Sequence, residues 1–323
     1  MNLAMISFWH VHAKDYAKEA QQHPETTITA IWDENEERGR KKAEKWGVAY
    51  ISTIDEILGN DSIDGVVVTC PTNMHKEVMI KAAKAGKHIF TEKVLAATED
   101  EALEIIHTVK QEGVKLFVSL PRVYDGYTLA IQNIISSGEI GEITQSRVRL
   151  AHDGALAGWL PNHFYDKEAC QGGALIDLGC HPVYLTRLFQ GMPKSILSQF
   201  GYVTAKPVED QAVVTFHYAG GTYGIIETGF VNPHSPFTIE LHGTKGSVLY
   251  GMTGDVLLMN KGEGFERVTI PVDQPSPFNQ WVDHVQHNKR TDENIALALD
   301  LTVLMEGAYR SAQQEAKVTI SIS

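Results

Sequence analysis

The chain has 323 residues, of which 43% are apolar and 21% charged, with a formal net charge of −12. That length can bury a large core and predicts two domains of an ordinary globular protein. The acidic balance, offset by no Lys/Arg cluster, speaks against nucleic acid or an anionic membrane as partner, and no apolar run reaches the roughly 18 residues a membrane span needs.

The first 120 residues alternate strand and helix patterns. Strands are expected at 3–6, 27–32, 65–70, 88–90 and 115–120, and helices at 13–22, 36–46, 54–58, 76–85 and 98–112. Thr53 with Glu56, and Thr98 with Glu101, have the spacing of capping boxes, and Gly47, Gly86 and Gly113 stand where left-handed C-caps are wanted. "GVVVTC" is apolar on both faces, as a central parallel strand should be. The rhythm predicts a doubly wound α/β sheet of Rossmann type, with ligands at the C-terminal ends of its strands.

After Pro121 the pattern changes. A helix at 127–136, closed by Gly138, leads to a strand at 143–150, a Gly/Pro/Trp-rich loop and a helix running to Phe189. Short strands with turn residues between them recur from 195 to 270, predicting an open, mostly antiparallel sheet. Helices at 278–287 and 294–316 and a strand at 317–322 close the chain. The expected organisation is a Rossmann dinucleotide-binding domain over 1–121 and an α+β substrate-binding and oligomerisation domain over 122–323.

Three cysteines, Cys70, Cys170 and Cys180, show no CxxC spacing, so a reduced cytoplasmic setting is expected and a disulfide framework or zinc ribbon is not. The opening residues lack a basic n-region and break at once into His10, His12 and Lys14, unlike a signal peptide.

The stretch "ISFWHVHAKD", residues 6–15, falls where a dinucleotide loop would carry Gly-x-Gly-x-x-Gly, yet it holds Ser7, Trp9 and His12. It reads as a rebuilt cofactor loop, a metal site on two histidines, or a packed turn. The helix start beyond it still offers free N–H groups and a positive dipole end to a phosphate. Against a metal, no further ligand lies nearby in sequence, and none is expected. Asp33 ends the second strand, where a carboxylate accepts both hydroxyls of an adenosine ribose and repels a 2′-phosphate; it could equally cap the following helix.

Three stretches carry a resemblance. "VVVTCPTNMHKEVMIKAAKAGKHIFTEKVLAAT", residues 66–98, resembles the signature of the glucose–fructose oxidoreductase/inositol dehydrogenase family (Gfo/Idh/MocA). "GGALIDLGCHPVYL", residues 172–185, is similar to that family's G-G-x-x-x-D-x-G-x-H stretch, and "HGTKGSV" and "AYRSAQQEAKVTI" are similar to its sheet turn and its C-terminal ending. The resemblance implies an NAD(P)-dependent oxidoreductase moving a hydride to or from a hydroxyl carbon of a sugar, polyol or related compound. It implies Lys93, Asp177 and His181 as catalytic residues. Phe8, Trp9, His10, Asp33, Thr69, Pro71, Asn73, His75, Glu92, Lys93 and Arg122 are then expected at the cofactor, with NAD the first choice and NADP the second. Tyr124, His152, Trp159, His163 and Tyr165 are candidates for the substrate. A homodimer or homotetramer through the C-terminal sheet is expected.

The chemistry suits these residue types. A histidine can take the hydroxyl proton as hydride leaves, an ammonium stabilises the developing alkoxide, and a carboxylate orients the imidazole or binds substrate. The departures are the lost glycines and Val94 in place of the proline of the family's E-K-P. Two rival readings stay open: a family member that recycles NAD within a glycoside-cleaving cycle, and a non-catalytic sensor that has lost nucleotide affinity.

Overall fold

The structure, a computed structural model, describes residues 1–320. It divides into two units, one of residues 1–120 and 275–299, the other of 121–274 and 300–320. The sequence-based boundary at 121/122 differs from this division by one residue, Pro121, and by one segment, Pro275–Leu299, which packs with the first 120 residues. The reason is tertiary: Trp281 is fully buried within ring-contact distance of Phe90 and lies over Gly65, where an added Cβ would meet its ring at 3.1 Å.

The first unit runs β1 (Asn2–Ile6), α1 (Ala13–Gln22), β2 (Thr27–Trp32), α2 (Glu36–Trp46), β3 (Ala49–Tyr50), α3 (Ile54–Leu58), β4 (Gly65–Val68), α4 (His75–Lys84), β5 (His88–Thr91), α5 (Glu99–Glu112) and β6 (Leu116–Val118). Its six strands pair in parallel in the order β3-β2-β1-β4-β5-β6. The order reverses between β1 and β4, so the loops that follow these two strands flank the crevice where such sheets bind ligands. Leu3–Ile6 and Val66–Val68 are fully buried, the two-sided burial that "GVVVTC" implied. The expected caps form: Thr53 accepts from Glu56 N–H, Thr98 from Glu101 N–H, and Gly47 and Gly113 close their helices with φ of 66° and 69°. Strands β4 and β6 end earlier than expected, releasing Thr69–Cys70 and Ser119–Leu120 into loops at the C-terminal edge. β3, two residues long, has too short a pattern for sequence reading. The N–H and C=O of Val118 on edge strand β6 are bonded by the Asn294 side chain at 2.8 and 2.9 Å, a side-chain surrogate for a next strand.

The second unit holds α6 (Gly126–Ser136), β7 (Ile143–Ala151), α7 (Lys167–Cys170), α8 (Cys180–Gln190), β8 (Ser195–Gly201), β9 (Gln211–His217), β10 (Tyr223–Gly229), β11 (Thr238–Gly243), β12 (Ser247–Gly251), β13 (Gly254–Asn260) and β14 (Phe265–Val268). In chain order α9 (Pro277–Gln286) then belongs to the first unit, α10 (Asp292–Gln314) runs from the first into the second, and β15 (Val318–Thr319) returns to the sheet. Nine strands pair in the order β14-β13-β12-β11-β7-β10-β9-β8-β15, antiparallel except for β7 with β10. α8 packs on β7 and β10, covering one face. Leu197, Val213 and Tyr223 on β8, β9 and β10 stay about 40% exposed or more. Of the terminal strand expected at 317–322, residues 321 and 322 lie outside the described residues.

Candidate functional site

The loop after β1 makes a glycine-like turn without a glycine. Ser7 sits at φ 75°, in the left-handed region that L residues rarely enter, and its N–H bonds Trp32 O at 2.6 Å. Its side chain helps hold that conformation: Ser7 Oγ accepts the Trp9 N–H at 3.0 Å. Other loop amides are also bonded internally. Phe8 N–H donates to Asp33 Oδ2 at 2.8 Å, His10 N–H to Thr69 O at 3.1 Å and His12 N–H to His10 Nδ1 at 3.3 Å. Thr69 Oγ1 donates to Ser7 O at 2.6 Å, so the loops after β1 and β4 are tied across the crevice. Phe8 and Trp9 are buried, with the Lys42 ammonium 5.3 Å from the Phe8 ring centre.

Asp33 lies where the sequence placed it, at the end of β2, but with a partner the sequence reading missed. Arg38, in the first turns of α2, forks onto it, Nε 2.9 Å from Oδ2 and Nη2 2.7 Å from Oδ1. Asn35 N–H also donates to Oδ1 at 2.8 Å. Asp33 thus fixes the loop and the start of α2 at once. Arg38 Nη2 reaches Ser7 Oγ at 3.4 Å. The signal available in sequence was the five-residue spacing from Asp33 to Arg38 at a helix start.

Glu92, at the end of β5, is buried and gathers the loop histidines. His12 Nδ1 lies 2.7 Å and His10 Nδ1 3.3 Å from its Oε1, Tyr16 OH donates to the same oxygen at 2.5 Å, and Lys93 N–H donates to Oε2 at 2.8 Å. Tyr16 OH also pairs with Ser119 Oγ at 2.9 Å. Burial disfavours a charge on Glu92, but the adjacent His10, His12 and Lys93 outweigh it and hold the carboxyl well below its usual range. Burial and the same carboxylate push the Tyr16 phenol well up. Tyr16 was absent from the sequence reading, although it follows His12 by one helical turn.

His75 is a strut. Fully buried at the start of α4, it places Nδ1 2.9 Å from Val94 O and Nε2 3.2 Å from Cys70 O, joining the segments after β4 and β5, and burial lowers its pKa. Lys93 is itself buried, and its peptide bond to Val94 is cis. Pro71 is buried and precedes a single 3₁₀ turn, Thr72–Met74, on which Asn73 is exposed.

In the second unit, a π-helical turn, Leu175–Gly179, runs straight into α8. The helix is therefore continuous through Pro182, and the widened turn before it accommodates the residue that cannot donate an N–H. Asp177 sits in the π turn and His181 in the first turn of α8. His181 Nδ1 bonds Tyr184 OH at 2.9 Å, and Tyr184 OH accepts the Arg122 N–H at 3.1 Å. Tyr184 is fully buried and fixes the imidazole from the next turn; it too was missed, three residues beyond His181. The Arg122 guanidinium lies 4.4 Å from the Phe237 ring centre and donates to Tyr127 OH at 3.3 Å.

The substrate candidates divide. His152 stacks on Phe230 with ring centres 5.0 Å apart and lies 4.6 Å from the ring of Trp159, which is 57% exposed. Burial lowers the pKa of His152 against the opposing charges of Asp177 and Asp153, so Asp177 and His152 share a neighbourhood. Tyr165 belongs instead to a buried cluster with Leu160, Phe164, Ala174, Val208 and Phe230. His163 lies against Phe164, and its carbonyl accepts from Cys170 Sγ. Tyr124 is half-buried, its carbonyl accepting the Gln274 N–H at 2.9 Å.

The chain is similar to known proteins throughout. Residues 3–120 match the family model "Oxidoreductase family, NAD-binding Rossmann fold", and residues 128–249 match "GFO/IDH/MocA C-terminal domain". It is 26% identical to a scyllo-inositol 2-dehydrogenase (NAD(+)) of Bacillus subtilis over 92% of this chain and 88% of that one. Among solved structures, GenD2 from gentamicin A biosynthesis in complex with NAD superposes with a TM-score of 0.85, at 23% identity over 100% of this chain and 97% of that one. A levoglucosan dehydrogenase in complex with NADH and levoglucosan gives 0.82, at 21% identity over 99% of both chains. With both domain models matched in order, the chain belongs to the GFO/IDH/MocA family of NAD(P)-dependent oxidoreductases.

Proposed function

We propose that this chain transfers a hydride between NAD(P) and a secondary hydroxyl carbon of a polyol or cyclic sugar. The first unit fits a dinucleotide: Ser7 makes the tight turn a glycine would make, and Asp33 with Arg38 stands at the adenosine-ribose end of the crevice. Phe8, Trp9, His10, Thr69, Pro71, Asn73 and Glu92 belong to the loops flanking that crevice. His75 supports them from behind. When bound, the nicotinamide ring supplies the hydride acceptor or donor.

In the oxidative direction the substrate C–H leaves as hydride while its O–H proton passes to the His181 imidazole. Lys93 holds the oxygen and stabilises its developing negative charge, and Asp177 binds a neighbouring hydroxyl or orients the imidazole. The observation that carries this reading is the fixed His181, whose Nδ1 is bonded to Tyr184 OH at 2.9 Å, which sets the orientation of an imidazole suited to exchange the proton. The named activities of the similar inositol and levoglucosan dehydrogenases support a polyol or cyclic sugar as substrate. The exposed Leu197, Val213 and Tyr223 support assembly of copies through the nine-stranded sheet.

The test is NADH titration of the purified chain, followed by a polyol and sugar screen with NAD and NADP. Micromolar binding and turnover that falls at least about 100-fold in Lys93→Ala are expected. A folded chain that binds neither nucleotide, or a Lys93→Ala variant with unchanged kcat, overturns the reading.

A further inference from the structure

We infer that His10, His12 and Glu92 form a site for one divalent transition-metal ion of the zinc type. The sequence reading lacked a third ligand for the two histidines; the fold supplies it from 80 residues away, since His12 and Glu92 meet at 2.7 Å. One ligand atom from each of the three residues lies within 4.8 Å of the others. Two imidazole nitrogens and one carboxylate oxygen make the donor set of three-ligand zinc centres, which keep a fourth position open. Hard cations such as Mg2+ and Ca2+ prefer all-oxygen sites, so they do not match it.

Three details point to a cation. First, His10 Nδ1 lies 3.3 Å and His12 Nδ1 2.7 Å from one and the same oxygen, Glu92 Oε1. Two imidazole nitrogens thus converge on one carboxylate oxygen, the convergence that a shared cation would draw together. The His10 separation matches the roughly 3.3 Å edge of a tetrahedron with zinc–ligand bonds near 2.0 Å, and the shorter His12 separation would have to open toward it as the ion enters. Second, Glu92 is held in place by Tyr16 OH and the Lys93 N–H, the kind of outer support that orients a ligating carboxylate. Third, the His12 side chain is 42% exposed while Glu92 is 2% exposed, so the buried ligand is fixed and the outer one opens the route of entry. The rings of His10 and His12 stand edge to face at 4.8 Å, turned toward the carboxylate rather than stacked.

The ion would leave a net charge of +1 after one carboxylate. It would place that charge on a loop whose amides at Phe8, Trp9, His10 and His12 are already bonded internally. An anionic phosphate oxygen could then take the open position. That consequence rests on the nucleotide reading; metal binding itself does not.

The experiment uses the purified, chelator-stripped chain without nucleotide. Zn2+ is titrated against a competing chromophoric chelator, and Co2+ is added while its visible d–d absorption is followed. One equivalent per chain is expected, with the intense absorption of four-coordinate cobalt, and His12→Asn and Glu92→Gln should each weaken Zn2+ at least about tenfold. His287→Asn, which removes an exposed histidine elsewhere, should leave the affinity unchanged. In the unmodified chain, one equivalent of Zn2+ should also protect His12 from carbethoxylation, mapped by peptide mass spectrometry, so a misfolded variant does not decide the matter. No stoichiometric uptake at micromolar metal, His12→Asn and Glu92→Gln binding as tightly as the unmodified chain, or a His12 that stays reactive overturns the site. NADH binding is measured separately, so loss of the metal reading leaves the dehydrogenase reading standing.

Discussion

Arg38 grips Asp33 with two nitrogens, Nε at 2.9 Å from Oδ2 and Nη2 at 2.7 Å from Oδ1, while the Asp33 side chain is fully buried. A carboxylate alone at the end of β2 repels a 2′-phosphate, whereas an arginine beside it accommodates one. If the loop binds a nucleotide as proposed, the pairing should weaken discrimination between the two. Arg38→Ala should raise the Kd for NADPH about tenfold and that for NADH less than about threefold, as read by calorimetry. Equal changes in both would mean that Arg38 serves only to position Asp33.

Gly39 sets how closely α2 approaches that same aspartate. A Cβ added there would stand 2.8 Å from Asp33 Cβ and 2.6 Å from Tyr50 Cε2. The tyrosine ring can turn aside, but Asp33 Cβ is anchored to the backbone of β2. Gly39→Ala should therefore lower stability by about 1–2 kcal/mol in urea unfolding, despite alanine's better helix propensity. A stabilised variant would show that α2 can slide.

Tyr184 bonds His181, and under the proposed mechanism it acts through that imidazole on turnover. Tyr184→Phe removes the phenolic oxygen from His181 Nδ1 and from the part-buried Arg122 N–H. kcat should fall about tenfold with KM little changed, and the limb of the pH profile assigned to His181 should move. Unfolding should become easier by about 1–2 kcal/mol, because an N–H loses its acceptor. A stability loss with an unaltered pH profile would restrict Tyr184 to a structural role.

His152 makes stability depend on pH. Burial depresses its pKa from 6.5 in the folded state, and its Nδ1 accepts the Gly154 N–H at 3.0 Å. The unfolded chain therefore takes up the proton first. The neutral imidazole's contribution is complete above about pH 6.5 and is lost as pH falls below it toward the folded pKa. Between pH 7 and 5 the Tm of the native chain should drop more than that of His152→Phe. Parallel curves would place the acid sensitivity elsewhere.

Much of the fold was legible in sequence because the signals are local. The both-sided apolarity of "GVVVTC", the Thr53 and Thr98 caps and the left-handed Gly47 and Gly113 act within a few residues, and each formed as read. The proposed site comes from residue types, because the stretches containing Lys93, Asp177 and His181 resemble a family pattern. Partnerships were not legible in sequence. Arg38 on Asp33 and Tyr184 on His181 depend on which face of a helix turns inward, and Trp281 over Gly65 depends on a segment returning to a strand that began more than 200 residues earlier.

The opening loop divides the same way. The sequence alone determined that its three glycines are absent and that two histidines stand in the turn. Only the tertiary structure decided that Ser7 takes the glycine conformation, that four of the loop amides are bonded internally, and that Glu92 meets both imidazoles. The physical reason is that a parallel sheet brings the ends of β1 and β5 to one edge while the chain separates them by some 80 residues, so no local pattern could record the encounter.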